Sequence, residues 1–192
     1  MKSESTAGTT TGTIWTIGHS NSGADEFIAA LRNHGIEAVA DVRRFPGSRK
    51  HPQFGGPALA ESLAANGIDY AWLAKLGGRR RDDPGAQQLG WRNASFRSYA
   101  AFMWSDEFAE GLGELTNIAH AMPTAVMCSE LLWWRCHRAL IADALRFLGF
   151  EVVHIMREGA GKPHPYTAPA RIVDGALEYP AEPRPQACCG HD

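Results

Sequence analysis

The sequence predicts an α/β fold: a three-layer domain with a mostly parallel sheet of about five strands, flanking helices and a C-terminal β-hairpin. Three observations predict it. Five short apolar, β-prone runs alternate with helical stripes along the chain, the pattern of βαβ units. Glycine, proline and capping residues punctuate the joints between them. Polar and ionisable residues follow the strands, and in such sheets ligands bind outside the carboxyl ends of the strands.

The elements follow in order. Met1–Gly12 is rich in Ser, Thr and Gly and reads as a disordered tail. Thr13–Gly18 (TIWTIG) is a short apolar run, hence a buried strand. Ser22, with Asp25 three residues on, reads as a helix N-cap; Phe27, Ile28 and Leu31 form the apolar stripe, and Gly35 supplies a left-handed stop. Ile36–Val42 is a second strand. Arg43–Gly56 is a loop with Pro46, Gly47 and Pro52, and Pro57 opens a helix whose Leu59 and Leu63 face inward. Ile68–Leu73 is a third strand, and Leu76–Asn93 a long polar loop. Helices are expected over Ala94–Met103 and Asp106–His120, a fourth strand at Thr124–Cys128, a helix from about Trp134 to Leu148, and a fifth strand at Glu151–Met156. Asp174-Gly175 between two apolar triplets signals a hairpin within Arg171–Tyr179. The chain thus reads as one domain over residues 13–180, followed by a loose tail over 181–192, and 192 residues suffice to bury a core without disulfides. Strand order does not follow from this pattern.

Composition bounds the function. The net charge is −2, so no whole-chain attraction to nucleic acid or anionic lipid is expected. Charge is uneven, however: Arg43 to Arg97 holds ten Lys or Arg against four acids. The start has no apolar leader, and no run approaches the ~20 apolar residues that span a bilayer. A cytoplasmic protein with no membrane partner is expected, its four cysteines free thiols. Oligomeric state and cofactor are not legible.

Chemistry gathers where strands end. His19 and Ser20 follow the first strand. Asp41 ends the second, releasing Arg43. Cys128 ends the fourth, with Glu130 two residues on, and the fifth carries His154 and releases Arg157 and Glu158. The segment Cys128-Ser-Glu-Leu-Leu-Trp-Trp-Arg-Cys136-His137-Arg138 is the densest. Arg135 to Arg138 is expected in the first helical turn, where positive groups oppose the usual acidic preference. Either a bound anion sits there, or Glu130 folds back onto Arg135 or Arg138. Cys136 in that field is either a reactive thiolate assisted by His137 or a small packed residue; Cys128 is a core residue or a second thiol.

Two familiar patterns fail. A phosphatase-type loop needs five small residues between Cys and Arg; six stand between Cys128 and Arg135, two of them Trp. No metal site is expected, because the ligands do not pair as C-x-x-C and neighbours on a helix diverge by ~100°. Cys188, Cys189 and His191 in the tail offer only adventitious metal binding. Phe45 and Phe54 among the cations of 43–54 either stack on nucleobases or pin the loop to the body.

TIGHS (Thr16–Ser20), DVR (Asp41–Arg43), LGG (Leu76–Gly78), Phe96 with Tyr99, CSE with CHR (Cys128–Glu130, Cys136–Arg138), VVHI (Val152–Ile155), PHP (Pro163–Pro165) and a closing Tyr-Pro resemble the domain-of-unknown-function family 488 (DUF488) over roughly Thr13 to Pro180. The resemblance implies the same layout and marks His19, Ser20, Asp41, Arg43, Cys128, Glu130, Cys136, His137 and Arg138 as family-typical. It implies no reaction, although some members carry a DNA-repair label. The bulky Leu131–Trp134 link departs from the family pattern and reads as an apolar lid or a partner surface.

The first expectation is therefore an enzyme or ligand-binding domain for a small anionic or phosphate-bearing molecule. Cys136, His137, Cys128, Glu130, His19 and Asp41 are its candidate catalytic groups. Ser20, Arg43, Arg135, Arg138 and Arg157 are its anion ligands. The alternatives are a nucleic-acid module using loops 43–54 and 76–97, and a non-enzymatic domain anchored by Trp133 and Trp134.

Overall fold

A computed structural model of the protein describes residues 11–47, 49–80, 90–157 and 161–181. The strands are β1 (Thr13–Gly18), β2 (Ala38–Asp41), β3 (Asp69–Trp72), β4 (Thr124–Cys128), β5 (Glu151–Ile155), β6 (Gly161–Pro163), β7 (Arg171–Val173) and β8 (Ala176–Glu178). The helices are α1 (Ala24–Asn33), α2 (Gly56–Ala64), α3 (Ala94–Phe102), α4 (Asp106–Ala121) and α5 (Arg138–Phe147). The main sheet runs β3-β2-β4-β1-β5-β6. Its first five members are parallel, and β6 runs antiparallel against β5.

Strand alternation builds the three layers. In β4, Ala125 and Met127 join Phe27, Leu31, Leu59 and Leu63 from α1 and α2 on one face. Val126 and Cys128 join Tyr99, Leu115, Leu140 and Ile141 from α3, α4 and α5 on the other. Side chains cap α3 and α4: Asn93 accepts Ser95 N–H at 2.8 Å and Ser105 accepts Phe108 N–H at 3.2 Å.

The structure corrects three elements. Ser22 does not cap α1; the N-cap is Gly23, and Ser22 N–H instead closes a turn on the His19 carbonyl at 3.0 Å. The helix after β4 starts at Arg138, not Trp134. Trp133–Arg135 forms a separate 3-10 turn, and Cys136 is extended at φ −127°, ψ 147°. The sixth strand was not expected, since three residues ending in proline carry no alternation, but an edge strand tolerates proline. The hairpin stands as expected: Asp174 (φ 48°) and Gly175 (φ 77°) take the two left-handed positions that a two-residue turn between β7 and β8 demands.

Order and register together position the site. Gly18 pairs with Cys128, and Asp41 with Met127. The carboxyl ends of β2, β4 and β1 therefore finish level and side by side.

Candidate active site

Pairing continues past the strands. His19 N–H donates to Cys128 O at 3.1 Å and Ser20 N–H to Ser129 O at 2.9 Å, with Ser20 in a left-handed conformation (φ 47°). The His19 ring stacks on Phe54 at 4.2 Å. Its Nδ1–H donates to Ser20 O at 3.0 Å, which leaves Nε2 as the acceptor facing Arg43 Nη1 at 3.4 Å. Burial, then the Arg43 charge, lower its pKa to about 4, so the ring is neutral near pH 7.

Arg43 is held from behind. The buried Asp41 carboxylate accepts its backbone N–H (3.0 Å), its Nε–H (2.9 Å) and its Nη2–H (2.6 Å), together with Tyr70 O–H (2.8 Å). Arg43 Nη1 also donates to Phe54 O at 2.8 Å. Asp41 thus sits behind Arg43: its acceptor sites are committed to Arg43 and Tyr70, and it is not among the residues lining the cleft.

Cys128, Cys136 and His137 converge. Sγ of each cysteine and one His137 nitrogen lie within 4.8 Å of one another, and Cys136 Sγ stands 3.6 Å from His137 Nδ1. The expectation that neighbours 136 and 137 diverge on a helix is corrected, because Cys136 precedes the helix in extended backbone and His137 is the N-cap residue of α5. His137 Nε2–H donates to Val42 O at 3.0 Å, so Nδ1 carries the lone pair. A Cβ at Gly78 would come 2.8 Å from that Nδ1, so the Leu76–Gly78 turn passes against the ring only because residue 78 is glycine.

Arg138 lies beneath this cluster, almost wholly buried. Its Nη2 donates to the backbone carbonyls of Glu130 and Leu131, and its Nη1 lies 3.5 Å from Thr16 Oγ1. In this position it clasps the loop between β4 and α5 through those carbonyls. The carboxylate of Glu130 folds onto neither Arg135 nor Arg138 in any ion pair among the described residues. Burial pushes the Cys136 thiol up, but a hydrogen bond from Cys128 and the charge and N–H groups of Arg138 outweigh it, and the pKa falls below the usual thiol range. Cys128, donor in that hydrogen bond and buried, goes well above it. Burial lowers His137, which is neutral at pH 7.

These groups open on a cleft of about 1040 Å³. Its walls include His19, Ser20, Cys128, Cys136 and His137, the cations Arg43, Arg44, Lys50, Arg79 and Arg135, and one acid, Glu130. A second cleft of about 700 Å³, lined by Trp91, Trp134 and Arg171, shares Phe96, Glu130 and Arg135 with the first. Arg157 lines neither: it donates to Asn21 at 2.7 Å and lies 3.7 Å from Glu26. The two aromatic pairs also divide. Phe54 is core while Phe45 is 67% exposed; Trp133 stacks on His154 at 4.1 Å while Trp134 is 49% exposed. Of this tryptophan pair, Trp134 is the exposed member. Arg81, Glu158, Cys188, Cys189 and His191 lie outside the described residues.

The sequence marks Tyr99 only as a motif residue, whereas its ring meets His137 at 5.0 Å, and it leaves unmarked a buried chain behind the site. Thr16 Oγ1–H donates to His154 Nδ1 (2.6 Å), His154 Nε2–H to His164 Nδ1 (2.9 Å), and His164 Nε2–H to Asp143 (2.9 Å). The PHP and VVHI segments were its only signal, and nothing local says that they meet.

No helix among the described residues is long and apolar enough to cross a membrane. Compared with known proteins, residues 23–145 match the model of one family, Domain of unknown function DUF488. No curated protein and no solved structure matches.

Proposed function

Because the chain belongs to the DUF488 family, whose description names no reaction, we propose from the chemistry of its site that it binds a small anionic, phosphate-bearing molecule and acts on it through Cys136. One observation carries this reading: a thiol of lowered pKa lines a cleft whose walls, among the described residues, hold five cations and a single acid. Arg43 and Arg135 are the anion's ligands, Arg43 pre-oriented by Asp41 so that little side-chain entropy is lost on binding. His137 Nδ1 accepts the Cys136 proton, and its other nitrogen is fixed by Val42 O, the nucleophile–base–orienter arrangement of thiol catalysis. Neutral His19 and Glu130, which makes no ion pair among the described residues, are further proton carriers on the cleft wall.

Alkylation by iodoacetamide at pH 7 tests this. Cys136 should label at least about tenfold faster than a free thiol, and inorganic phosphate should slow it. Equal, slow labelling of all four cysteines, with no effect of phosphate, would remove the reading.

A second reading has its own observation. Phe45 is exposed at the cleft wall with the Arg44 guanidinium 6.0 Å from its ring, a pairing suited to stacking on a base while cations meet phosphates. Retention on single-stranded DNA or RNA at low salt, falling steeply as salt rises, would favour it; no retention at low salt would end it.

A further inference from the structure

Three electron-pair donors face one another on the floor of the cleft. Sγ of Cys128, Sγ of Cys136 and a His137 nitrogen share a space 4.8 Å across at most. His137 cannot turn a proton into it, because Nε2–H is committed to Val42 O. At most two thiol protons therefore separate three lone-pair atoms. Tetrahedral zinc, with bonds of about 2.3 Å to sulfur and about 2.0 Å to nitrogen, holds a sulfur and a nitrogen about 3.5 Å apart. Cys136 Sγ and His137 Nδ1 already stand at 3.6 Å. The surroundings match as well. A ligating imidazole characteristically donates its other N–H to a carbonyl, as His137 does. Gly78 presses close on the ring and Tyr99 packs against it, which fixes its orientation. All three side chains line the cleft, which is the path of entry.

We propose that Cys128, Cys136 and His137 form a three-ligand site for a thiophilic d10 cation, zinc(II), with its fourth position open to the cleft. Binding releases the thiol protons to solvent and leaves two thiolates and a neutral imidazole around the ion. That set cancels the zinc charge, so the cleft cations select an anion for the fourth position. The three ligands stand on their own geometry; the anionic fourth ligand rests on the function proposed above. Zinc and nucleophilic attack compete for the same sulfur, so metal occupancy shields Cys136.

The test uses the full-length, metal-free chain titrated with zinc(II), and with cobalt(II) as a spectroscopic stand-in. The site requires one zinc per chain retained through gel filtration, tetrahedral cobalt bands with sulfur-to-cobalt charge transfer, and Cys136 alkylation slowed at least about tenfold by zinc. C128S and H137A should lose the metal, whereas C188S/C189S should keep it. The cobalt spectrum of the unaltered chain decides the matter even if a variant fails to fold. No zinc retained by the unaltered chain, or metal lost from C188S/C189S but kept by C136S, overturns the site. If zinc is not retained while phosphate still slows labelling, the metal falls and the anion reading stands. If zinc is retained but phosphate leaves the cobalt bands unchanged, the anionic fourth ligand is overturned.

Discussion

Arg43 and Asp41 are two residues apart, and each depends on the other. A guanidinium so buried persists because one carboxylate takes its Nε–H and Nη2–H, along with the residue's backbone N–H. Removing the carboxylate charge leaves Arg43 buried and uncompensated, so Asp41→Ala should cost about 3–5 kcal/mol of stability, read from urea unfolding. Milder Asp41→Asn should keep the fold and weaken phosphate protection of Cys136; unchanged protection would show that Arg43 needs no anchor. The identities of the cleft residues were legible: His19, Arg43, Cys128, Glu130, Cys136 and His137 all stand where residue type and strand-end position put them. The buried contacts of Asp41 and Arg138 were not. A charge at a strand end reads the same whether it faces a cleft or is folded back under it, and only the packed structure shows which carbonyls and carboxylates it meets.

At the scale of elements, the stretch between β4 and α5 decides the site. Its Trp133-Trp134-Arg135 continues the apolar stripe of the helix, which is why the sequence reads as helical from Trp134. Tertiary contacts override that propensity: Trp133 turns onto His154, and Arg138 draws in the loop carbonyls. Cys136 is thereby freed from helical geometry and set against His137. The Leu76–Gly78 turn bears on the same ring from the opposite element. Gly78→Ala should push His137 aside, slow Cys136 labelling at pH 7 and cost about 1–3 kcal/mol. Labelling and urea midpoint both unchanged would mean that the turn plays no part in setting the imidazole.

Across the whole molecule, strand order is what the sequence withheld, since the same alternation fits many orders. The order β2-β4-β1, with level strand ends, turns three separate segments into one cleft. The same packing buries His137 in neutral form along with two further histidines: His19, lowered to about 4 by burial and Arg43, and His154, lowered to about 2 by burial and His164. Both folded values lie below the unfolded 6.5. The unfolded chain therefore binds more protons as pH falls through 6.5, and stability drops with it. Between pH 6.5 and 5, urea unfolding should register an uptake that rises to about two protons from His19 and His154, with His137 adding to it, and His19→Gln should reduce it by about one; stability flat across that window would contradict neutral burial. The most direct test of the cleft itself is crystallographic, with tungstate as a heavy stand-in for phosphate. The account predicts tungstate within hydrogen-bonding distance of Arg43 or Arg135, above Cys136. An empty cleft at saturating tungstate, with the anion only on remote surfaces, would contradict it.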